Sequence, residues 1–215
     1  MRTEALTLPA VEPLLLDEVK DHLRMEGAAE DAALGAFITA ARLSIEEYAD
    51  LRLIDRTEAI YLDAWPLFKK QEASPWWSGS ANGAVSLLSS PARFAVLPVR
   101  PVSAVASITV VAADDSETVW DADNYQLRLG LKPGVVLQAG RRWPVPGRVL
   151  GGLKITLTSG FGPDWNYVPA SVRQAILMQA SYLYTHRGDN RGGTSNAVVA
   201  SGAAGLLAPY RERRV

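Results

Sequence analysis

The first 50 residues place apolar side chains at intervals of three and four residues, which predicts two helices. The first helix is expected over residues 16–26, where carboxylates occupy the opening turn and Gly27 follows the last turn. The second is expected over residues 30–50. Its apolar stripe consists of Leu34, Phe37, Ile38, Ala41, Ile45 and Tyr48. The short Gly/Ala connection between the two helices predicts an antiparallel pair.

From Arg56 the spacing changes to the two-residue alternation of β-strands. One strand begins there and is expected to end before Trp65-Pro66. Short strands then follow in series, separated by turn residues. They are Phe94–Leu97, Val105–Ala112, Thr118–Trp120, Tyr125–Leu129, Val135–Gln138 and Leu153–Ser159. Residues 56–160 are therefore predicted to form an inserted antiparallel sheet or sandwich-like unit, with an irregular loop over 69–93.

Helical spacing returns after Pro169 and predicts a third helix that ends near Arg187, before Gly188. Residues 188–205 have the Gly, Ser and Asn content of a flexible linker, and residues 206–215 form an apolar and basic tail. The predicted fold is α+β: a helical bundle of two N-terminal helices and one C-terminal helix, an inserted β region and a flexible C-terminal arm. The expected parts are an N-terminal helical part at 1–55, the β-rich insertion at 56–160, the completing helix at 161–187, and the linker and tail at 188–215.

Composition and charge narrow the class of protein. The 215 residues include no cysteine and carry a net charge of −1, which excludes disulfides and thiolate sites and argues against a globally basic nucleic-acid binder. No apolar run is long enough to span a membrane, and the N-terminus lacks a signal-peptide pattern, so we expect the chain to fold in the cytoplasm.

The charge is distributed unevenly along the chain. Residues 1–65 contain six Lys and Arg against fourteen Asp and Glu, a net of −8, whereas residues 66–150 and 151–215 carry +3 and +4. Such asymmetry suits head-to-tail contacts between neighbouring copies, although a solvated acidic helix pair would give the same pattern. Glu46 and Glu47 are the candidate interface residues on the acidic side.

Residues that could support chemistry are few. Histidine occurs only at positions 22 and 186. His22 lies on a predicted helix, and His186 lies at a predicted helix C-terminus, where the helix dipole is sufficient reason for its presence. The acidic group Asp17, Glu18 and Asp21 lacks the spacing of a calcium loop. The Gly160-Phe161-Gly162 string precedes a proline instead of opening a helix, so no nucleotide-binding loop is indicated. We therefore expect no catalytic, cofactor-binding or metal-binding residues.

Several segments, in order, resemble the phage head–tail connector (adaptor) family, which includes gp6-like and phiE125 gp8-like proteins and the adaptors of gene transfer agents. The first segment is LLLDEVKDHLRMEGAAEDAALGAFITAARLSIEEYADLRLIDRTEAIYLDAWP. It is followed by VLPVRPVSAVASITVV, DADNYQL, KITLTSGFGPDWNYVPASVRQAILMQASYLYTHRG and GLLAPYRERRV. Residues 69–93, with adjacent Trp76 and Trp77, are the departure from this pattern.

The resemblance implies a non-enzymatic structural subunit at the virion neck. Such a protein forms a ring, usually of twelve copies, under the portal and above the next neck or tail protein. Double-stranded DNA passes through its channel without specific binding, and no membrane or cofactor is involved. The alternatives are another neck component (a head-closure or tail-terminator ring) or a DNA-packaging accessory protein; a small hydrolase is disfavoured.

Two further segments are predicted to mediate contacts. Trp76 and Trp77 lie in a polar stretch and are expected to meet a neighbouring subunit, since tryptophan is enriched in interface hot spots. The tail is expected to dock on the portal through apolar anchors and guanidinium groups. Its residues are Leu206, Leu207, Pro209, Tyr210, Arg211, Arg213 and Arg214. Arg141, Arg142 and Arg148 could face DNA in a channel, but a conduit that gripped phosphates would hinder passage.

Overall fold

In the computed structural model of the chain, residues 1–65, 93–187 and 199–211 are described. The chain divides into two compact units. The helical unit comprises Ala5–Thr57, Val99–Ser103 and Thr158–Val215, and the sheet unit comprises Met1–Glu4, Glu58–Pro98 and Ala104–Leu157. Elements of both secondary-structure types are present, so the predicted α+β class is confirmed.

The helical unit contains α1 (Leu16–Leu23), α2 (Asp31–Ala49), α3 (Ala170–Thr185) and α4 (Ser201–Leu207). The helix α3 packs against each of the other three. Their buried faces form one apolar core that includes Leu34, Ile45, Ile176 and Leu207. The stripe predicted for the second helix is buried at Leu34, Ile38, Ala41 and Ile45. Burying such aliphatic side chains is the main source of the unit's stability.

Ends of these helices are fixed by backbone conformation and by two side chains. Arg24 and Asp50 follow α1 and α2 in the left-handed conformation that commonly ends helices, so α1 ends before the predicted Gly27. At the start of α1, the Glu18 carboxylate accepts a hydrogen bond from the Leu15 N–H at 3.1 Å. At the end of α2, Arg100 donates to the carbonyl oxygens of Ala49 (2.9 Å) and Asp50 (3.1 Å). Arg100 thus satisfies carbonyls that have no partner within the helix.

Within the described residues, eight strands form two sheets. They are β1 (Arg2–Ala5), β2 (Arg56–Leu62), β3 (Phe94–Val96), β4 (Val102–Val111), β5 (Glu117–Val119), β6 (Tyr125–Arg128), β7 (Gly134–Leu137) and β8 (Leu153–Ser159). One sheet has the order β1-β2-β8-β4-β5 and the other the order β3-β7-β6. In β8 buried and half-buried residues alternate strictly, as expected for a strand with one covered face.

The smaller sheet is antiparallel throughout. Phe94 lies opposite Val136 in one pair of strands, and Tyr125 lies opposite Leu137 in the other. In the larger sheet, β4 and β5 pair antiparallel with Thr109 opposite Val119. The strands predicted from periodicity all occur, with ends shifted by up to three residues, and β1 was not predicted.

The C-terminal region differs from the prediction. Residues 201–207 were expected to belong to a flexible linker and the start of a free tail, but they form α4. Small residues permit close packing there: a Cβ at Gly202 would lie 2.4 Å from the Met178 Cε atom. The composition that suggested a linker is therefore the composition of a helix packed closely on its neighbour. Residues 69–92 of the predicted loop 69–93, and residues 188–198 of the predicted linker, lie outside the described residues.

Candidate assembly surfaces

Glu46 is the centre of a buried ionic network and not a surface residue. It is 3% exposed, and its carboxylate lies 3.1 Å from the Arg56 guanidinium and 3.5 Å from that of Arg42. It also accepts a hydrogen bond from the Leu53 N–H at 3.1 Å. Arg42 in turn lies 2.8 Å from Glu12. The prediction that Glu46 lies at a subunit interface is therefore wrong, because its charge is already compensated inside its own unit.

Glu47, the next residue, has the opposite environment. It is exposed, and it lies one turn after Leu43, which is 51% exposed. A carboxylate in the last turn of a helix gains nothing from the helix dipole, which favours cations there. Glu47 therefore remains a candidate for contact with another molecule.

The C-terminal segment packs within the helical unit. Leu207 and Ala203 are fully buried in the core, and the Ala200 N–H donates to the Gln179 side-chain oxygen at 2.8 Å. The expectation that Leu207 is an exposed anchor is therefore wrong: the hydrophobic surface of α3 already covers it. Leu206 is half-buried against the same core.

Residues 208–211 are held by polar and aromatic contacts. The Tyr210 hydroxyl lies 3.2 Å from the Ser171 Oγ atom, and its ring meets Phe161 edge-on. The Arg211 guanidinium stacks over Tyr48, 4.3 Å from the ring centre, and donates to its hydroxyl at 3.1 Å. Pro209 and Arg211 remain exposed, whereas Arg213 and Arg214 lie outside the described residues.

An open cleft of about 250 Å³ lies beside α3 in the helical unit. Its lining consists of Leu14, Glu18, Ala170, Arg173, Gln174 and Leu177. Glu18 and Arg173 form an ion pair, and the Arg173 guanidinium also stacks over the Trp165 ring at 4.5 Å. Glu18 is thus used in a contact between helices and not as part of a cation site with Asp17 and Asp21.

Three of the tryptophans form a cluster in the sheet unit. The Trp65 ring centre lies 4.4 Å from that of Trp143 and 5.3 Å from that of Trp120, and Trp120 stacks on Tyr125. The Trp65 indole N–H donates to the Pro144 carbonyl at 3.0 Å. These rings are half-buried. Trp76 and Trp77 lie outside the described residues.

The described part of the chain holds no group of three or more His, Asp or Glu side chains placed to bind a metal ion. His186 follows α3, where its ring stacks on Tyr182 and its Nδ1 atom lies 2.9 Å from the Tyr182 carbonyl; His22 is exposed. No helix within residues 1–65, 93–187 or 199–211 is long and apolar enough to cross a bilayer. Arg141 and Arg142 are exposed, and Arg148 pairs with Asp115 at 3.1 Å.

The described residues thus form an α+β chain that exposes both apolar and charged side chains. The phage gp6-like head–tail connector family matches residues 14–83. Solved structures match the whole chain. A chain in the neck of an empty GTA particle computed with C6 symmetry is 26% identical, with a TM-score of 0.74 and coverage of 100% of this chain and 97% of that one.

Two more structures give nearly the same agreement. A chain in the virion of a native gene transfer agent (GTA) particle is 26% identical with a TM-score of 0.73, and the match covers 100% of this chain and 97% of that one. A chain in the neck of a native GTA particle computed with C12 symmetry is 25% identical with a TM-score of 0.72 and the same coverage. No curated protein matches in sequence. The matches to the gp6-like head–tail connector family model and to chains of GTA particles confirm the resemblance seen in the sequence.

Proposed function

We propose that this chain is the head–tail connector, or adaptor, of a tailed phage or gene transfer agent. It forms a ring of twelve copies beneath the portal, extends the DNA channel, and joins the head to the next neck or tail protein. The observation that carries the proposal is the full-length structural match to chains of GTA necks, covering 97% of the matched chain. A match over both units leaves little of either chain without a counterpart.

The symmetry of the matched particles supports the proposed copy number. One matched neck was computed with C12 symmetry and another with C6, and a twelve-membered ring is compatible with both. A closed ring uses two different surfaces on each copy, so each must present complementary patches. A net charge of −8 on residues 1–65 against +3 and +4 on the rest is suited to such contacts.

The proposed role is mechanical and not enzymatic. DNA is expected to pass through the ring without specific binding, because each phosphate contact would add salt-dependent affinity. The isolated protein should therefore bind double-stranded DNA no more tightly than a protein of equal charge. Salt-sensitive, tight DNA binding would instead favour a packaging accessory protein.

Portal docking through the C-terminus stays part of the proposal in a revised form. Leu207 is buried, so the contact falls to the exposed Pro209 and Arg211 and to Arg213 and Arg214 beyond them. Arg213→Glu with Arg214→Glu should lower attachment to portal-bearing heads while the melting temperature stays constant. Normal attachment of this variant would remove the C-terminus from the portal contact.

The adjacent Trp76 and Trp77 are proposed to contact a neighbouring subunit. Replacing both with serine should leave the melting temperature unchanged and reduce incorporation into particles. A melting temperature lowered by several degrees would instead assign both rings to the core of their own chain.

The decisive experiment removes the gene from a producing cell and restores it in trans. Without the protein, we expect heads that lack tails; with an affinity-tagged copy, we expect tailed particles that carry the tag at the neck in electron micrographs. Normally tailed particles in the absence of the protein would overturn the proposal. A tag found at another level of the neck would identify a head-closure or tail-terminator ring.

A further inference from the structure

A loop of the sheet unit, residues 143–150, is held in a fixed conformation by its own unit; we term it the apolar loop. The Val111 carbonyl accepts hydrogen bonds from the N–H groups of Gly147 (3.1 Å) and Arg148 (3.3 Å). Trp143 lies in the tryptophan cluster, and the Trp65 indole N–H donates a hydrogen bond to the carbonyl of the next residue, Pro144. A Cβ at Gly147 would approach the Ala113 nitrogen to 2.6 Å, so the two backbone segments touch.

This fixed loop nevertheless presents three aliphatic side chains to solvent. Val145 is 86% exposed, Val149 is 84% exposed and Leu150 is 70% exposed. Neighbouring aliphatic residues on a rigid backbone form a preorganised contact surface, because little conformational entropy is lost when they dock. Such a surface is unfavourable in water unless another molecule covers it.

A second apolar surface lies in the helical unit on residues 6–15, which we term the N-terminal segment. Leu6 is 51% exposed, Leu8 is 80% exposed and Leu15 is 45% exposed. Its backbone is also fixed: the N–H groups of Leu6 and Thr7 donate to the Thr57 carbonyl at 2.8 and 3.1 Å. At its other end, Glu12 lies in an ion pair with Arg42.

The two surfaces carry opposite charge. Residues 139–152 contain three arginines and no acidic residue, whereas residues 5–18 contain three acidic residues and no Lys or Arg. Part of this charge is used internally, since Arg148 pairs with Asp115 and Glu18 with Arg173. Arg141 and Arg142 are exposed immediately before the apolar loop, and Asp17 is exposed two residues after the N-terminal segment.

We infer that the apolar loop of one copy docks on the N-terminal segment of the next copy. The proposal rests on the ring proposed above, because a ring needs two different surfaces on each copy that complement each other. The aliphatic side chains of both surfaces bury one another, and Arg141 and Arg142 meet the carboxylate of Asp17. Both surfaces are ordered before contact, so the interface forms without folding of either segment.

The absence of cysteine from the chain makes disulfide trapping a clean test. Val149→Cys and Leu8→Cys are introduced together in full-length protein, and particles are purified from cells that depend on it. After mild oxidation, the double variant should give a ladder of covalently linked copies on a non-reducing gel. Each single variant can link at most two copies, so neither should extend beyond a dimer.

A matched control combines Leu8→Cys with Leu129→Cys. Leu129 is 46% exposed, belongs to the sheet unit and lies outside the apolar loop. This variant should give no ladder. Three results would overturn the contact. The control could give an equally strong ladder, the double variant could give monomers only, or the disulfide could form within one chain. A band that joins Val149→Cys to another particle protein would also overturn it.

Failure of the contact is distinguishable from failure of the proposed function. Particles that contain the double variant at the neck but show no ladder contradict the contact alone. Normally tailed particles that lack the protein altogether contradict the connector function. As a second readout, Val145→Asp with Val149→Asp should reduce incorporation into particles roughly tenfold or more, with an unchanged melting temperature. Full incorporation of this variant would also overturn the contact.

Discussion

Glu46 and Glu47 are adjacent residues of one type in opposite environments, and they offer a sharp test of the structure. Replacing Glu46 with alanine removes a buried carboxylate that lies 3.1 Å from Arg56 and accepts a hydrogen bond from Leu53. Removing one partner from a buried ion pair costs about 3–5 kcal/mol. Arg42 would keep Glu12 at 2.8 Å, so we place the loss of unfolding free energy at the lower end, about 3 kcal/mol.

Glu47→Ala is the matched control. The side chain is exposed, so the change in unfolding free energy should stay within about 0.5 kcal/mol. Both variants are compared with the parent by urea unfolding, followed by circular dichroism at neutral pH. The stabilising role of the network would be refuted if the two variants lost the same unfolding free energy within error. A loss below about 1 kcal/mol for Glu46→Ala would refute it as well.

The same pair separates folding from assembly. Glu46→Lys should impair ring formation only by destabilising the helical unit, and the melting temperature should fall with it. Glu47→Lys should not lower the melting temperature, because the helix dipole favours a cation in the last turn of α2. Any weakening of ring formation by this variant should be larger at low salt, where screening is least. Salt-independent assembly of the Glu47→Lys protein would leave this carboxylate without a role between subunits.

Three further predictions concern packing and burial. Leu207→Ala should cost about 3 kcal/mol because the side chain is fully buried in the core, whereas Leu8→Ala, at an 80% exposed site, should have little effect on the melting temperature. Gly147→Ala should destabilise the chain measurably in urea, since its Cβ would lie 2.6 Å from the Ala113 nitrogen; unchanged stability would contradict the close approach. Burial raises the pKa of Asp55, and one of its carboxylate oxygens has no hydrogen-bond partner. When the pKa of a carboxyl is higher in the folded than in the unfolded state, ionisation of that carboxyl destabilises the fold at pH values above both pKa values. Asp55→Asn removes this ionisable group, so it should raise the melting temperature near pH 7 but not at about pH 3, where the carboxyl is largely protonated in both states. The reverse pH dependence would contradict that reasoning.

The sequence alone determined most of the regular elements. Apolar residues at helical spacing located α1, α2 and α3, and two-residue alternation located β2 to β8, because both signals depend only on local geometry. The ordered set of motifs also resembled the connector family, and the comparisons confirm that resemblance. The order of the strands in each sheet could not be predicted from local spacing, because pairing joins residues far apart in the chain. The neighbouring strands β2 and β8 are an example.

Only the tertiary structure decided which charges and apolar groups face solvent. Glu46 and Glu47 are indistinguishable in sequence, and the positions of Arg42 and Arg56 decide which of the two is buried. The Gly and Ala content of residues 201–207 suggested a linker, but small residues also let α4 approach α3 closely enough to bury Leu207. Local composition cannot separate these cases, because chain freedom and close packing both favour small side chains, and only the neighbouring surface decides between them.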